Sequence, residues 1–114
     1  MGIKIYFSSD TDLTEYEAIS KGYRHDVFVK INQSMYNVCI YTLNRLQQDF
    51  ETEMESYDFF AIEPNIILVK ESNKSEIIKA INKQYEQDYF KKIKSVDNIN
   101  VDEFVKILIV LSTF

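Results

Sequence analysis

Acid–base chemistry at neutral pH draws first on histidine, and this sequence holds one, His25, between Arg24 and Asp26. No companion motif marks a nucleophile for it, so His25 reads as a charged residue at the mouth of a strand. Cys39 is equally solitary. It lies in the strand-like run Tyr36-Asn37-Val38-Cys39-Ile40-Tyr41 without metal-ligand spacing, and reads as a small buried hydrophobe suited to a reducing compartment. The two glycines, Gly2 and Gly22, stand too far apart to cradle a phosphate, which excludes a Walker loop or a dinucleotide fingerprint. Asp10, Asp12, Glu15 and Glu17 come close together but lack the ligand spacing and central glycine of a calcium loop. In the first turn of a helix such acids are favoured by the backbone dipole instead. No catalytic residue, metal site or cofactor is therefore expected, and the chain is not expected to be an enzyme.

What the sequence does concentrate is negative charge. Asp49, Glu51, Glu53, Glu55, Asp58 and Glu63 follow one another with no Lys or Arg between positions 49 and 63. Residues 70–114 carry eight lysines and seven acids, net +1, which leaves net −6 on residues 1–69 and polarises the molecule. Like charges one helical turn apart repel by a few tenths of a kcal/mol, a cost that a basic partner would relieve. Tyr57, Phe59 and Phe60 adjoin the acids, and aromatic anchors beside a charged rim are typical of protein interfaces. These six acids are the expected partner-binding residues. The plainer alternative is an ordinary solvated helix face.

The elements that must carry them follow from periodicity. Residues 3–7 read as a strand, and Asp12 with Glu15 reads as the start of a short helix whose Leu13, Tyr16 and Ile19 share a face before Gly22. Residues 25–31 and 34–42 read as a hairpin about Asn32-Gln33. Leu43, Leu46, Phe50, Met54 and Tyr57 recur every three or four residues, which predicts a helix with that stripe on the core and the acids outside. Residues 59–62 and 66–70 read as two further strands about Pro64, and Asn73 with Glu76 opens a third helix running to about Phe90 and carrying Ile77, Ile78, Ile81, Tyr85 and Tyr89. Asn100 and Glu103 repeat the cap pattern. The apolar run over residues 104–111 is taken as a last helix, although periodicity leaves helix and strand open across 101–112. The expectation is one α+β domain over residues 1–114, with a mainly antiparallel sheet of about five strands covered by helices.

Composition sets the outer bounds. An apolar fraction of 46% and eight Phe with eight Tyr suffice for one core in 114 residues. The net charge of −5 opposes phosphate backbones, so direct nucleic-acid binding is not expected. No apolar run approaches the ~20 residues of a membrane helix, and residues 1–12 lack the layout of a secretory signal, so a cytoplasmic location is expected. The apolar C-terminal run also offers a route to a homo-oligomer.

The stretch Arg45-Leu46-Gln47-Gln48-Asp49-Phe50-Glu51, the hinge Glu63-Pro64-Asn65-Ile66-Ile67-Leu68-Val69, and Glu86-Gln87-Asp88-Tyr89-Phe90 resemble the small immunity proteins encoded beside bacterial polymorphic or contact-dependent toxins. The resemblance covers about residues 1–95 and rests on size, acidity and segment order. It implies tight binding of a cognate toxin domain with a basic surface, a nuclease being one such toxin. A phage-encoded acidic inhibitor of a host nuclease or defence complex would present the same features.

Overall fold

Ile3, Ile5 and Phe7 recur at every second position on one side of the chain and are fully buried, which suits residues Gly2–Phe7 to a strand (β1). The computed structural model describes residues 2–9, 11–96 and 105–110. After β1 come helix α1 (Asp12–Lys21), strands β2 (Tyr23–Ile31) and β3 (Ser34–Tyr41), and helix α2 (Leu43–Tyr57). Strand β4 (Ile66–Leu68), helix α3 (Lys74–Glu86), a 3-10 turn at Tyr89–Lys91 and strand β5 (Val105–Val110) complete the order. The sheet runs β4-β3-β2-β1-β5. β1 pairs antiparallel with β2 and β5, β2 pairs antiparallel with β3, and β3 pairs parallel with β4. The fold is α+β, with a mixed sheet.

Two expectations fail in the sheet. Residues 59–62 form no strand, because β4 takes its hydrogen bonds from β3 through the α2 crossover rather than from a hairpin partner. The helix expected over residues 104–111 is a strand at Val105–Val110, registered along β1 from Phe7↔Val105 to Gly2↔Val110. Its Ile and Val content fits either state, and long-range pairing decides. The rest of that run, with the cap at Asn100 and Glu103, lies outside the described residues.

The core sits on one face of the sheet. Ile5, Phe7, Val27, Val29 and Val38 meet Ile77 and Ile81 of α3, and Phe90 closes the layer. Asn73 starts α3, its side chain accepting from the Glu76 N–H at 2.8 Å. α1 differs from its expected form. Thr11, not Asp12, is its N-cap, paired with Thr14 in a reciprocal box, while Gly22 ends the helix at φ 76°. Only Ala18 of α1 is buried, so Leu13, Tyr16 and Ile19 face outward.

A buried arginine ties these layers together. The register shift between Arg24 and Val27 turns Arg24 inward, where it is 5% exposed. Its Nε donates to Asp26 Oδ1 at 2.7 Å and its Nη2 to the Ser9 carbonyl, and the guanidinium lies 4.5 Å from the Phe7 ring centroid. Arg24 Nη1 stands 3.8 Å from Glu15 Oε1, and the same carboxylate accepts the Lys74 N–H that opens α3. Burial pushes the Asp26 carboxyl up, but hydrogen bonds from Arg24 and Ser8 outweigh it and hold the group below its usual value.

Candidate protein-interaction surface

Thr42 caps α2, accepting from the Arg45 N–H at 3.3 Å, and Asp58 ends it in the left-handed conformation with its N–H on the Met54 carbonyl. No residue of α2 is buried, which corrects the expectation that its apolar stripe faces the core. The helix turns Arg45, Asp49 and Glu53 toward the body, half-buried together with Leu46 and Met54, and leaves Leu43, Phe50 and Tyr57 of the stripe exposed. Arg45 explains the rotation. Its guanidinium lies 4.4 Å from the Tyr23 ring centroid and reaches the Lys21 carbonyl, so this arginine, not Leu43 or Phe50, docks the helix.

The six expected acids divide accordingly. Asp49 accepts from Arg45 Nε at 3.0 Å and is not a free ridge residue, and Glu53 lies half-buried on the same inward side. Glu51, Glu55 and Asp58 are exposed at spacings of four and three, so they form one row. Glu63 is exposed beyond them. Among the described residues no Lys or Arg pairs with any of these four; Gln47 donates to Glu51 at 3.5 Å. Arg45, four residues before Asp49, is the signal that the run of acids is not uniform.

Beside the row lies an apolar groove of about 260 Å³, lined by Leu43, Leu46, Gln47 and Phe50 of α2 with Phe60 and Ile62 from the following segment. The Phe50 and Phe60 rings meet edge to face at 6.2 Å. Asp58 turns the chain back over the helix, and the far end is pinned where Tyr89 Oη donates to the Pro64 carbonyl and Asn65 Nδ2 to the Asn37 carbonyl. Leu43, Phe50, Tyr57, Phe59 and Ile62 remain 47–65% exposed, an amount of large apolar surface characteristic of a binding face.

The other reactive side chains form a separate group. His25 Nε2 and Tyr41 Oη are 3.1 Å apart, with Tyr23 against both rings. Burial, helped by Arg45, lowers the His25 pKa against the pull of Asp49 and Asp26, while burial and Asp49 push Tyr41 up. Both groups are thereby favoured neutral, which suits packing between the hairpin and α2. Burial likewise raises the Cys39 thiol, the Asn65 amide opposing. Glu15, grouped in the sequence with possible metal ligands, instead caps α3, and Asp10 lies outside the described residues. No described helix is long and apolar enough to cross a membrane. Comparison with known proteins adds no relative: no family model matches the chain, and neither a curated protein nor a solved structure matches it.

Proposed function

We propose that the chain is a non-catalytic protein-binding module that neutralises a basic protein partner, as an immunity protein holds its cognate bacterial toxin. The observation that carries this reading is the row Glu51, Glu55 and Asp58, exposed, one turn apart and, among the described residues, without a paired cation. A field of one sign concentrated on one face raises the association rate of an oppositely charged partner by about 10–10³-fold. In the basic cleft of a nuclease, carboxylates in such a row stand where phosphates would. The reading keeps the chain in the cytoplasm, where such a toxin would act on its producer.

The test is co-purification with the products of adjacent genes, followed by association rates for the captured protein against ionic strength. Glu51→Lys, Glu55→Lys and Asp58→Lys together should slow association at least tenfold at low salt and flatten its salt dependence. Equal rates for parent and variant would refute capture through this row. A captured toxin favours the immunity reading, whereas flanking phage genes and a host target favour a phage inhibitor acting through the same acids.

A further inference from the structure

The acidic row accounts for attraction but not for the apolar side chains beside it. At about 100° per residue, three sectors follow one another around α2. Arg45, Asp49 and Glu53 face the body, then come Leu43, Phe50, Met54 and Tyr57, then Glu51, Glu55 and Asp58. The apolar sector therefore lies between the body and the carboxylates. Its inner wall is built by Phe60 and Ile62, so the row of acids borders the groove along its outer side.

Two features define what fits there. At about 260 Å³ the groove is smaller than the roughly 300–1,000 Å³ of small-molecule sites, and among the described residues Gln47 is the one polar side chain lining it. It lacks the convergent polar groups that orient a metabolite. It does have the volume for one large apolar side chain, laid along two turns of a helix, which is the arrangement that receives an amphipathic helix. The charge of Glu51, Glu55 and Asp58 along its outer border sets the sign of that helix.

We infer that this groove docks a basic amphipathic helix of the partner protein. One Leu-, Phe- or Trp-sized side chain enters between Leu43, Phe50, Phe60 and Ile62, and Lys or Arg on its flank meet Glu51, Glu55 and Asp58. The inference rests on the proposed capture of a basic partner and adds the occupant of the apolar face. Labour divides between the two parts: the carboxylates set how fast the partner arrives, and the groove sets how long it stays.

The chain contains no tryptophan, so a Trp-bearing peptide reports its own environment. The probe is a 16-residue helix of Leu, Lys and Ala with one central Trp on its apolar face. Addition of the full chain should shift the Trp emission to the blue with one-to-one stoichiometry. Phe50→Ser with Ile62→Ser, both at exposed positions, should leave the circular dichroism melt of the chain unchanged and weaken binding at least tenfold, through faster dissociation. Glu51→Gln, Glu55→Gln and Asp58→Asn should instead slow association and remove its salt dependence. A matched peptide with Glu for Lys should not bind.

Several outcomes overturn the docking site. One is no blue shift, and another is equal affinity for a peptide whose Leu residues are replaced by Ser. A third is equal affinity for the parent and the Phe50→Ser/Ile62→Ser variant. In the last two cases, if the salt dependence persists, acidic capture stands and only the groove's role falls. Indifference to the three charge substitutions would remove the capture reading itself. Concentration-dependent dimerisation of the chain alone, broken by Phe50→Ser/Ile62→Ser, assigns the groove to a second copy and likewise overturns the inference.

Discussion

Replacing Arg24 with Met removes a buried cation while keeping most of its apolar stem over Phe7. Asp26 and Glu15 then lose their counter-charge, and Asp26 also loses the 2.7 Å hydrogen bond from Nε. Breaking a buried pair by removing one partner costs about 3–5 kcal/mol. The two carboxylate side chains are 31 and 30% exposed, so solvent screens part of the loss and the lower figure, about 3 kcal/mol, applies. For 114 residues at about 0.05–0.15 kcal/mol each, total stability is roughly 6–17 kcal/mol, so the variant still folds. With a urea slope of about 1–3 kcal/mol/M, its midpoint should fall by about 1–3 M at pH 7. Acid provides a second reading. A carboxyl held below its usual value, as Asp26 is, stabilises the fold above its unfolded pKa and loses that contribution as pH falls through the folded pKa. In Arg24→Met the burial that raises Asp26 acts with less opposition, so parent and variant should converge as pH falls below 3.8 and through the folded pKa of Asp26. A double-mutant cycle with Asp26→Asn isolates the coupling. A loss at pH 7 below about 1 kcal/mol, or a gap that does not narrow in acid, would refute this account of the buried cluster.

Gly22→Ala should cost about 1–3 kcal/mol by urea titration, because φ is 76° and the new Cβ would stand 2.8 Å from Thr42 Oγ1 and 3.0 Å from Arg45 Cβ. Ser72→Ala should cost about 1–3 kcal/mol in the same assay, since Ser72 Oγ donates to the Ala18 carbonyl at 2.7 Å in a buried site. The His25 ring should titrate below 6.5 in NMR spectra, with Arg45→Gln raising the value and Asp49→Asn lowering it further. Because that pKa is depressed, any stability it confers is present above pH 6.5 and fades as pH falls through the folded value. Removing residues 105–114 deletes six registered pairs beside β1, and at roughly 1 kcal/mol per ladder hydrogen bond the chain should lose several kcal/mol or unfold. A truncated chain melting like its parent would contradict the position of β5.

Local signals were sufficient where they were strong. Alternation in residues 3–7, the Asn32-Gln33 turn and the Asn73 cap are each decided by near neighbours, and the strands and α3 follow from them. α2 exists where its periodicity placed it, yet the stripe that defines the helix is not the face that docks it. Spacing specifies a helix but not its rotation, and here Arg45 over Tyr23 sets the rotation. The same limit applies to α1, where inward Ala18 outweighs the larger Leu13 and Tyr16. Residues 59–62 carry strand-like side chains without a strand to pair with, and Val105–Val110 finds one across the whole sequence. Of the candidate site, the exposure of Glu55 and Asp58 was legible, whereas Asp49 and Glu53, expected outside with them, are half-buried. The pairing of Asp49 and the groove beside the row depend on that rotation, and were not legible.

A ribosome makes β1 long before it makes β5. From Phe7 to Val105 is 98 residues, which takes roughly 5–20 s at 5–20 residues per second. β2 covers one side of β1 early in that interval, but the other row of backbone groups stays open until β5 emerges. For those seconds a central strand behaves as an edge strand, able to pair with any compatible neighbour. A β5 emerging from an adjacent ribosome on the same message satisfies that edge as well as the chain's own. Dense polysomes therefore favour strand-exchanged pairs, and sparse ones favour chains that close on themselves.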